Sequence, residues 1–193
     1  MSQSSLFIDI GNSAVKWRTC DSEVFTKGVD LFSLELLPKA DSVWLSTVAH
    51  PNIVQAIKTQ FSTVKLVESL KQYRKLTLSY DDPSKLGVDR FLAMLAALER
   101  FPNSPLLVID AGSAVTFDVI DAKGIHQGGL IMPGLKALRE SFAKFSTTDL
   151  SINTSELKNS TEGAWQSGTY AMLVSAVNSQ IHNFKLKYPG GVI

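Results

Sequence analysis

Three short stretches of this chain carry residue types that handle phosphate and protons. The first, Asp9-Ile10-Gly11-Asn12-Ser13, ends an apolar run and is followed by Lys16. A glycine just after a strand-ending aspartate lets backbone N–H groups approach a ligand closely. Asn12 and Ser13 add side-chain donors, Lys16 adds a cation, and Asp9 adds a carboxylate useful mainly beside Mg²⁺. The second stretch, Asp110-Ala111-Gly112-Ser113-Ala114-Val115-Thr116, repeats the Asp-x-Gly pattern and the Ala-Val that follows it about 100 residues later. The third, Gly87-Val88-Asp89-Arg90, sits where a helix begins. A helix N-terminus favours anions, Asp89 can accept a hydroxyl proton, and Arg90 can fork onto a carboxylate. Donors for phosphate oxygens, a cation, a metal-capable carboxylate and a base are together what phosphoryl transfer needs. Taken singly, each stretch has a plainer alternative: a hairpin with an exposed lysine, a common Asp-x-Gly turn, or an Asp–Arg pair on a solvated surface.

The elements that must position these residues follow from the pattern. Residues 5–10 read as a buried strand, Ala14 to Cys20 as a second strand and Glu23 to Gly28 as a third. A short helical segment near Leu31 to Leu37 precedes a β-rich run, Ser42 to Val48. Pro51 opens a helix to about Phe61, and Val64 to Val67 reads as a strand. Asp82-Pro83-Ser84 caps a long helix, Lys85 to Arg100, with Phe91, Met94, Leu95 and Leu98 at helical spacing. Pro102 and Pro105 mark a boundary, and the pattern then restarts. Leu106 to Asp110, Ala114 to Asp121 and Ile125 to Met132 read as three strands. Gly128-Gly129 allows close backbone approach, and Pro133-Gly134 opens a helix to about Phe145. A polar loop runs from Ser146 to Ser160, a long helix from Glu162 to Lys187, and a strand begins at Gly190. The expectation is a duplicated α/β fold with halves at residues 1–103 and 104–193, whose two Asp-x-Gly turns face one cleft.

Composition excludes several alternatives. The 193 residues are 45% hydrophobic and 19% charged, an ordinary globular balance. A net charge of +1 gives no electrostatic footprint for nucleic acid or membrane. The lone Cys20 allows neither an internal disulfide nor a cysteine zinc cluster and fits a reducing cytoplasm. His50, His126 and His182 lie far apart without metal-ligand spacing, so surface or packing roles are the default. Trp17, Trp44 and Trp165 read as core or interface anchors. The N-terminus MSQSSLFIDIG lacks the regions of a signal peptide, and no window approaches a membrane span.

The set Asp9-x-Gly-Asn-Ser-x-x-Lys16, Gly87-x-Asp-Arg90, Asp110-x-Gly-Ser-Ala-x-Thr116 and Gly128-Gly-x-Ile-x-Pro-Gly134 resembles the type III pantothenate kinases in residues, order and spacing. The resemblance runs from Phe7 to about Gly168. It implies the duplicated ribonuclease H-like fold of the acetate and sugar kinase, Hsp70 and actin superfamily, with a nucleotide cleft between the halves. It implies transfer of the ATP γ-phosphoryl group to pantothenate in the cytoplasm, the first step of coenzyme A synthesis, with Mg²⁺ and a monovalent cation, K⁺ or NH₄⁺. By position, Asp9, Gly11, Asn12, Ser13 and Lys16 would hold the ATP phosphates, Asp9 also reaching Mg²⁺ through phosphate or water, and Ser113 would touch ATP. Asp89 would be the base, and Gly87, Val88, Asp89 and Arg90 would bind pantothenate together with Tyr80. Asp110 would sit at the monovalent cation, and Thr161 would reach pantothenate across a homodimer interface.

Ser13 and Ser113 stand where the family usually has threonine, and the hydroxyl is kept. The family's sequences continue past the strand that begins at Gly190, so the second half is expected to lack elements that close its sheet, leaving an exposed edge. Two other readings stay open: a non-catalytic regulatory member of the family, and another small-molecule kinase or phosphatase of the superfamily.

Overall fold

Alternation along the chain builds the first sheet. In the computed structural model, which describes residues 4–145, 147 and 149–193, Leu6, Ile8 and Ile10 of β1 (Ser5–Ile10) are buried, while Phe7 and Asp9 lie on the opposite face. β2 (Ala14–Thr19) folds back antiparallel on β1, and β3 (Phe25–Gly28) pairs antiparallel with β2. β4 (Ser42–Thr47) then lies parallel to β1 on its other side. α1 (Pro51–Gln60) follows, and β5 (Val64–Leu66) adds parallel to β4. The order β3-β2-β1-β4-β5, with only β2 reversed, is that of a ribonuclease H-like half. Leu6, Ile8 and Ile10 pack with Val15, Trp17, Val43, Leu45, Ile57 and Phe61 as its core.

A second sheet repeats the opening of the first. The chain first forms a two-stranded hairpin, β6 (Gln72–Tyr73) with β7 (Leu76–Thr77), and then α2 (Val88–Arg100). β8 (Leu106–Ala111), β9 (Ala114–Ile120) and β10 (His126–Pro133) follow as an antiparallel meander in the order β10-β9-β8. Val192 bridges Leu106 in parallel, with Leu107 N–H donating to the Val192 carbonyl at 2.9 Å. This is the position Ser42 of β4 takes beside Ser5, so the repeat extends to the first bridge of a fourth-strand position. Fold class α/β with duplicated ribonuclease H-like topology is therefore visible in strand order and direction. α3 (Leu135–Glu140) and α4 (Thr161–Lys187) complete this part. Leu107, Val115 and Phe117 on one face of the sheet meet Phe184 of α4, with Leu173, Val177 and Ile181 alongside.

The backbone divides into two compact units. One holds residues up to Leu70 with Asp82–Leu92, the other Lys71–Asp81 with Ala93–Ile193. The division thus runs through α2, not through the Pro102–Pro105 loop. The segment Lys71–Asp81 joins the second unit because Thr77 N–H donates to the Gly124 carbonyl at 3.0 Å and Thr77 bridges Ile125.

Several local expectations are corrected. Asp82 caps only a 3₁₀ turn, Pro83–Lys85, and Leu86 is extended, so α2 starts at Val88 and not at Lys85. The segment near Leu31 to Leu37 is two 3₁₀ turns, Val29–Leu31 and Leu34–Leu36. The helix after Gly134 ends at Glu140 and is followed by a 3₁₀ turn at Ala143–Phe145. The β6–β7 hairpin, two residues per strand, is too short to leave a periodic signal. Met1–Gln3 of the N-terminal reading, and Ser146 and Thr148 of the polar loop, lie outside the described residues.

Candidate functional site

The first unit gathers two of the chemical stretches at one end of its sheet. β1 ends with Asp9, whose cross-strand partners are Lys16 on β2 and Ser46 on β4. In-register partners share a sheet face, so carboxylate, ammonium and hydroxyl lie together. Ser46 Oγ donates to Asp9 Oδ1 at 2.9 Å and orients the half-buried carboxylate, while Lys16 is exposed. Gly11 N–H donates to the Ala14 carbonyl at 3.0 Å, closing a hairpin whose tip, Asn12 and Ser13, is exposed. His50, left-handed at φ 57° ahead of α1, bonds through Nε2 to the Asn12 carbonyl at 3.0 Å and steadies that tip.

The Gly87–Arg90 stretch reaches the same end. Val48 N–H donates to the Ile10 carbonyl at 3.2 Å, and Val48 Cγ1 is 3.9 Å from where a Cβ on Gly87 would stand. That Cβ would also lie 2.5 Å from Asp89 Oδ1, so only glycine leaves room for this carboxylate orientation. Asp89 lies in the first turn of α2, where negative charge is favoured, and its Oδ1 accepts from Arg90 N–H at 2.8 Å. Arg90 is 5% exposed. The Asp89 carboxylate and the Asp9–Ser13 turn thus lie at the carboxyl ends of the strands, the usual place for a ligand in an open α/β sheet.

The second unit carries the other predicted residues. Asp110 ends β8 and is exposed, as is Ser113, and the residue opposite Asp110 is Thr116. Gly112 N–H donates to the Ala114 carbonyl at 2.8 Å, and Gly134 N–H to the Ser113 carbonyl at 3.0 Å. A Cβ on Gly134 would stand 2.2 Å from the Gly112 oxygen and 2.8 Å from the Ser113 oxygen. The second turn is thus seated directly on the start of α3. Tyr80 is half-buried and stacks on His126, with ring centroids 5.9 Å apart and planes 14° apart.

Thr161 opens α4 and is exposed, its turn capped by Ser160 Oγ accepting from Gly163 N–H at 3.2 Å. Arg139, fully buried on α3, braces the loop that leads there. It donates to the carbonyls of Asp149 at 2.7 Å, of Gln166 at 3.2 Å and of Ile152. Burial pulls the Arg139 guanidinium below its ordinary pKa, against the opposing charge of Asp149. Asp149 is itself held below the usual carboxylate range, chiefly by the Ser151 N–H and hydroxyl, with Gln166 and Arg139 adding to this against some desolvation. Elsewhere in the unit, the exposed Arg74 guanidinium is raised by its bond to Glu99 at 2.5 Å.

Sequence reasoning missed Ser79, Asp118 and Arg139, and gave His126 only a surface or packing role. A signal for Asp118 existed: a carboxylate inside the apolar run Ala114–Ile120, at a position that the sheet buries.

Among the described residues, no group of three or more His, Cys, Asp or Glu could hold a metal ion. Mg²⁺ in phosphoryl-transfer sites is commonly bound by one or two carboxylates plus substrate phosphates and water, so the single oriented Asp9 fits it. Asp110, Thr116 and the backbone carbonyls of the second turn are oxygen donors, which suit a monovalent cation. No helix among the described residues is long and apolar enough to cross a membrane.

Comparison with known proteins bears on this geometry. The sequence pattern of the type III pantothenate kinase family matches residues 5–183. A type III pantothenate kinase of Alcanivorax borkumensis is 33% identical over 163 residues, covering 76% of this chain and 65% of the relative. One from Teredinibacter turnerae is 34% identical over 167 residues, covering 79% of this chain and 66% of the relative. The chain therefore spans about two thirds of the length of these curated relatives. Among solved structures, a conserved protein of Campylobacter jejuni described as a Baf family transcriptional activator aligns at TM-score 0.60 and 25% identity. That alignment covers 90% of this chain and 78% of the other.

Proposed function

The chain belongs to the type III pantothenate kinase family, and from that premise we propose that it transfers the γ-phosphoryl group of ATP to the hydroxyl of pantothenate. The observation that carries this reading is the meeting of the Asp9 turn and the Gly87–Asp89 stretch at one end of the first sheet. Asp89 takes the proton as the pantothenate hydroxyl oxygen bonds to the γ-phosphorus, while the bond from that phosphorus to the ADP oxygen breaks. The backbone and side chains of Gly11, Asn12 and Ser13, with Lys16, hold the phosphates, and Ser113 touches ATP. Arg90 meets the pantothenate carboxylate with a fork that its burial orients, and Tyr80, Gly87 and Val88 line the rest of the substrate.

Mg²⁺ bound through the Asp9 end of the phosphates, and K⁺ or NH₄⁺ at Asp110, supply positive charge against the phosphate oxygens. Thr161 contacts pantothenate bound by a second copy in a cytoplasmic homodimer. The exposure of Leu130 (50%) and Ile131 (65%) on β10, an edge strand, supports such an interface.

The test is ADP release from this chain with Mg²⁺-ATP and K⁺, with and without pantothenate. Pantothenate-dependent release is expected, and Asp89→Asn should keep the fold while lowering turnover by about 10²–10⁴-fold. Turnover near wild type in that variant refutes the base assignment. The Campylobacter jejuni structure favours a second reading, a regulatory member without catalysis. Thermal stabilisation by ATP and pantothenate with no ADP release would select it.

A further inference from the structure

The first residue chemistry with no role in the reading above is a buried polar chain in the second unit. His126 is 1% exposed and Asp118 is 1% exposed. His126 Nε2 lies 2.9 Å from Asp118 Oδ1, and His126 Nδ1 lies 3.2 Å from Ser79 Oγ. An ionised carboxylate only accepts, so Nε2 carries a hydrogen toward Asp118. Nδ1, on the other side of the ring, is then the atom that bonds the Ser79 hydroxyl. The order Asp–His–Ser suggests hydrolysis, but His126 is also covered by Tyr80, whose ring stacks on it at 5.9 Å. The two hydrogen bonds and the stack instead make His126 a fixed post against which residues 79 and 80 rest.

The fold builds this post on purpose-made backbone. On β9, Val115, Phe117 and Val119 belong to the face that packs on α4, so Asp118 and Ile120 point to the other face. His126 pairs with Ile120, and the next pairing is Gly129 with Asp118. One extra residue is thus accommodated on β10, and Gly128 takes φ 102°, which favours glycine. The bulge leaves His126 diagonal to Asp118 on the shared face, within reach of its carboxylate.

The segment Lys71–Asp81 meets the second unit at Thr77, whose N–H donates to the Gly124 carbonyl at 3.0 Å and which bridges Ile125. It is closed on itself by Leu78 N–H donating to the Lys71 carbonyl at 2.9 Å and Lys71 Nζ to the Tyr80 carbonyl at 2.7 Å. Leu76 and Leu78 are buried beneath it. Beyond Leu78, Ser79 and Tyr80 both contact His126 of the sheet.

We propose that His126, held by Asp118, is a positioning residue that fixes Tyr80 through the Ser79 hydroxyl and the ring stack, and so sets affinity for pantothenate. It rests on the kinase reading only where it gives Tyr80 a substrate role. Ser79→Ala removes the hydroxyl at an exposed residue and spares the buried pair. His126→Phe keeps a ring under Tyr80 but loses both hydrogen bonds.

The experiment compares wild type, Ser79→Ala, Ser79→Thr and His126→Phe by amide hydrogen exchange across residues 71–81 and by steady-state kinetics. With one neutral hydrogen bond at stake, Ser79→Ala should exchange about fivefold faster in this segment and show about a fivefold higher KM for pantothenate. KM for ATP and kcat should stay within about twofold of wild type, because neither depends on this bond in the proposal. Ser79→Thr, which keeps the hydroxyl, should recover the wild-type exchange and KM, and His126→Phe should exceed Ser79→Ala in both. Unchanged exchange in Ser79→Ala overturns the post. Faster exchange with unchanged pantothenate KM overturns its link to substrate. Wild type without pantothenate-dependent turnover defeats the kinase reading instead, and the exchange rates still decide whether His126 holds Tyr80.

Discussion

Replacing Gly134 by alanine tests how tightly the second Asp-x-Gly turn is seated. The added Cβ would stand 2.2 Å from the Gly112 oxygen, 2.8 Å from the Ser113 oxygen and 3.0 Å from the Ser113 carbonyl carbon. All three are backbone atoms, so no side chain can swing aside; the turn itself must retreat by more than an ångström. Gly134 already has φ −71° and ψ 172°, which alanine adopts freely, so backbone strain plays no part. Forcing extra volume into a packed contact costs about 1–3 kcal/mol. Weakening the Gly134 N–H to Ser113 carbonyl bond adds about 1 kcal/mol. The stiffer unfolded chain returns about 0.4–1 kcal/mol. The expected net loss is about 1–3.5 kcal/mol, against the roughly 5–15 kcal/mol that holds a typical domain. Urea unfolding followed by tryptophan fluorescence reads it. Gly168→Ala is the contrast: it lies inside α4 with nothing within 4 Å of its Cβ, and should gain about 1 kcal/mol of helix propensity. A Gly134→Ala protein within about 0.5 kcal/mol of wild type would refute the reasoning, since that is the scatter of surface substitutions.

The remaining perturbations separate chemistry from stability. Gly87→Ala should rotate Asp89 away from its present orientation, because the Cβ meets Oδ1 at 2.5 Å; turnover should fall at least about tenfold with stability within about 1 kcal/mol, read by ADP release and urea unfolding. Arg139→Leu leaves the Asp149, Ile152 and Gln166 carbonyls without their donor, at about 1–3 kcal/mol each if none finds water, so a loss of at least about 3 kcal/mol is expected in the same unfolding assay. Asp149 is depressed in the folded state, so its stabilisation is complete above the unfolded aspartate pKa and is lost as pH falls through the lower folded value. Asp149→Asn should therefore flatten the acid side of a melting-temperature profile below the ordinary aspartate range and leave the neutral side sloping as before.

The fold was legible where periodicity is strong. Leu6, Ile8 and Ile10 alternate cleanly, and the second copy of the Asp-x-Gly turn announces the repeat. Reading failed where tertiary contacts override local pattern. Lys85 continues the helical spacing of α2, yet extended Leu86 and the Gly87 gap beside Asp89 break the helix there. The β6–β7 hairpin meets the rest of its unit through the Thr77 N–H bond to the Gly124 carbonyl and the bridge to Ile125, contacts across many residues that no local window records. The chemical stretches could be picked out because aspartate, glycine, a hydroxyl residue and, in the first, lysine stand within a few residues of one another. The supporting residues were not: His126 and Asp118 matter through a diagonal contact set by a bulge, and Arg139 through carbonyls in a loop.

The two turns also show how duplication and chemistry part ways. Both keep what the backbone demands: an apolar strand, an aspartate at its end, and a glycine whose N–H reaches the carbonyl of the returning strand. They differ in what stands opposite the aspartate, Lys16 against Asp9 and Thr116 against Asp110. A carboxylate paired with an ammonium presents little net charge but many donors, which suits phosphate oxygens carrying their own metal. A carboxylate facing a hydroxyl keeps its negative charge and offers only oxygens, which suits a small cation. Exchanging the partners tests this division directly. Lys16→Thr should weaken ATP binding strongly and leave cation dependence in place, while Thr116→Lys should abolish the response to K⁺ before it affects ATP affinity. Equal effects of the two changes on ATP affinity would mean that the turns share one task.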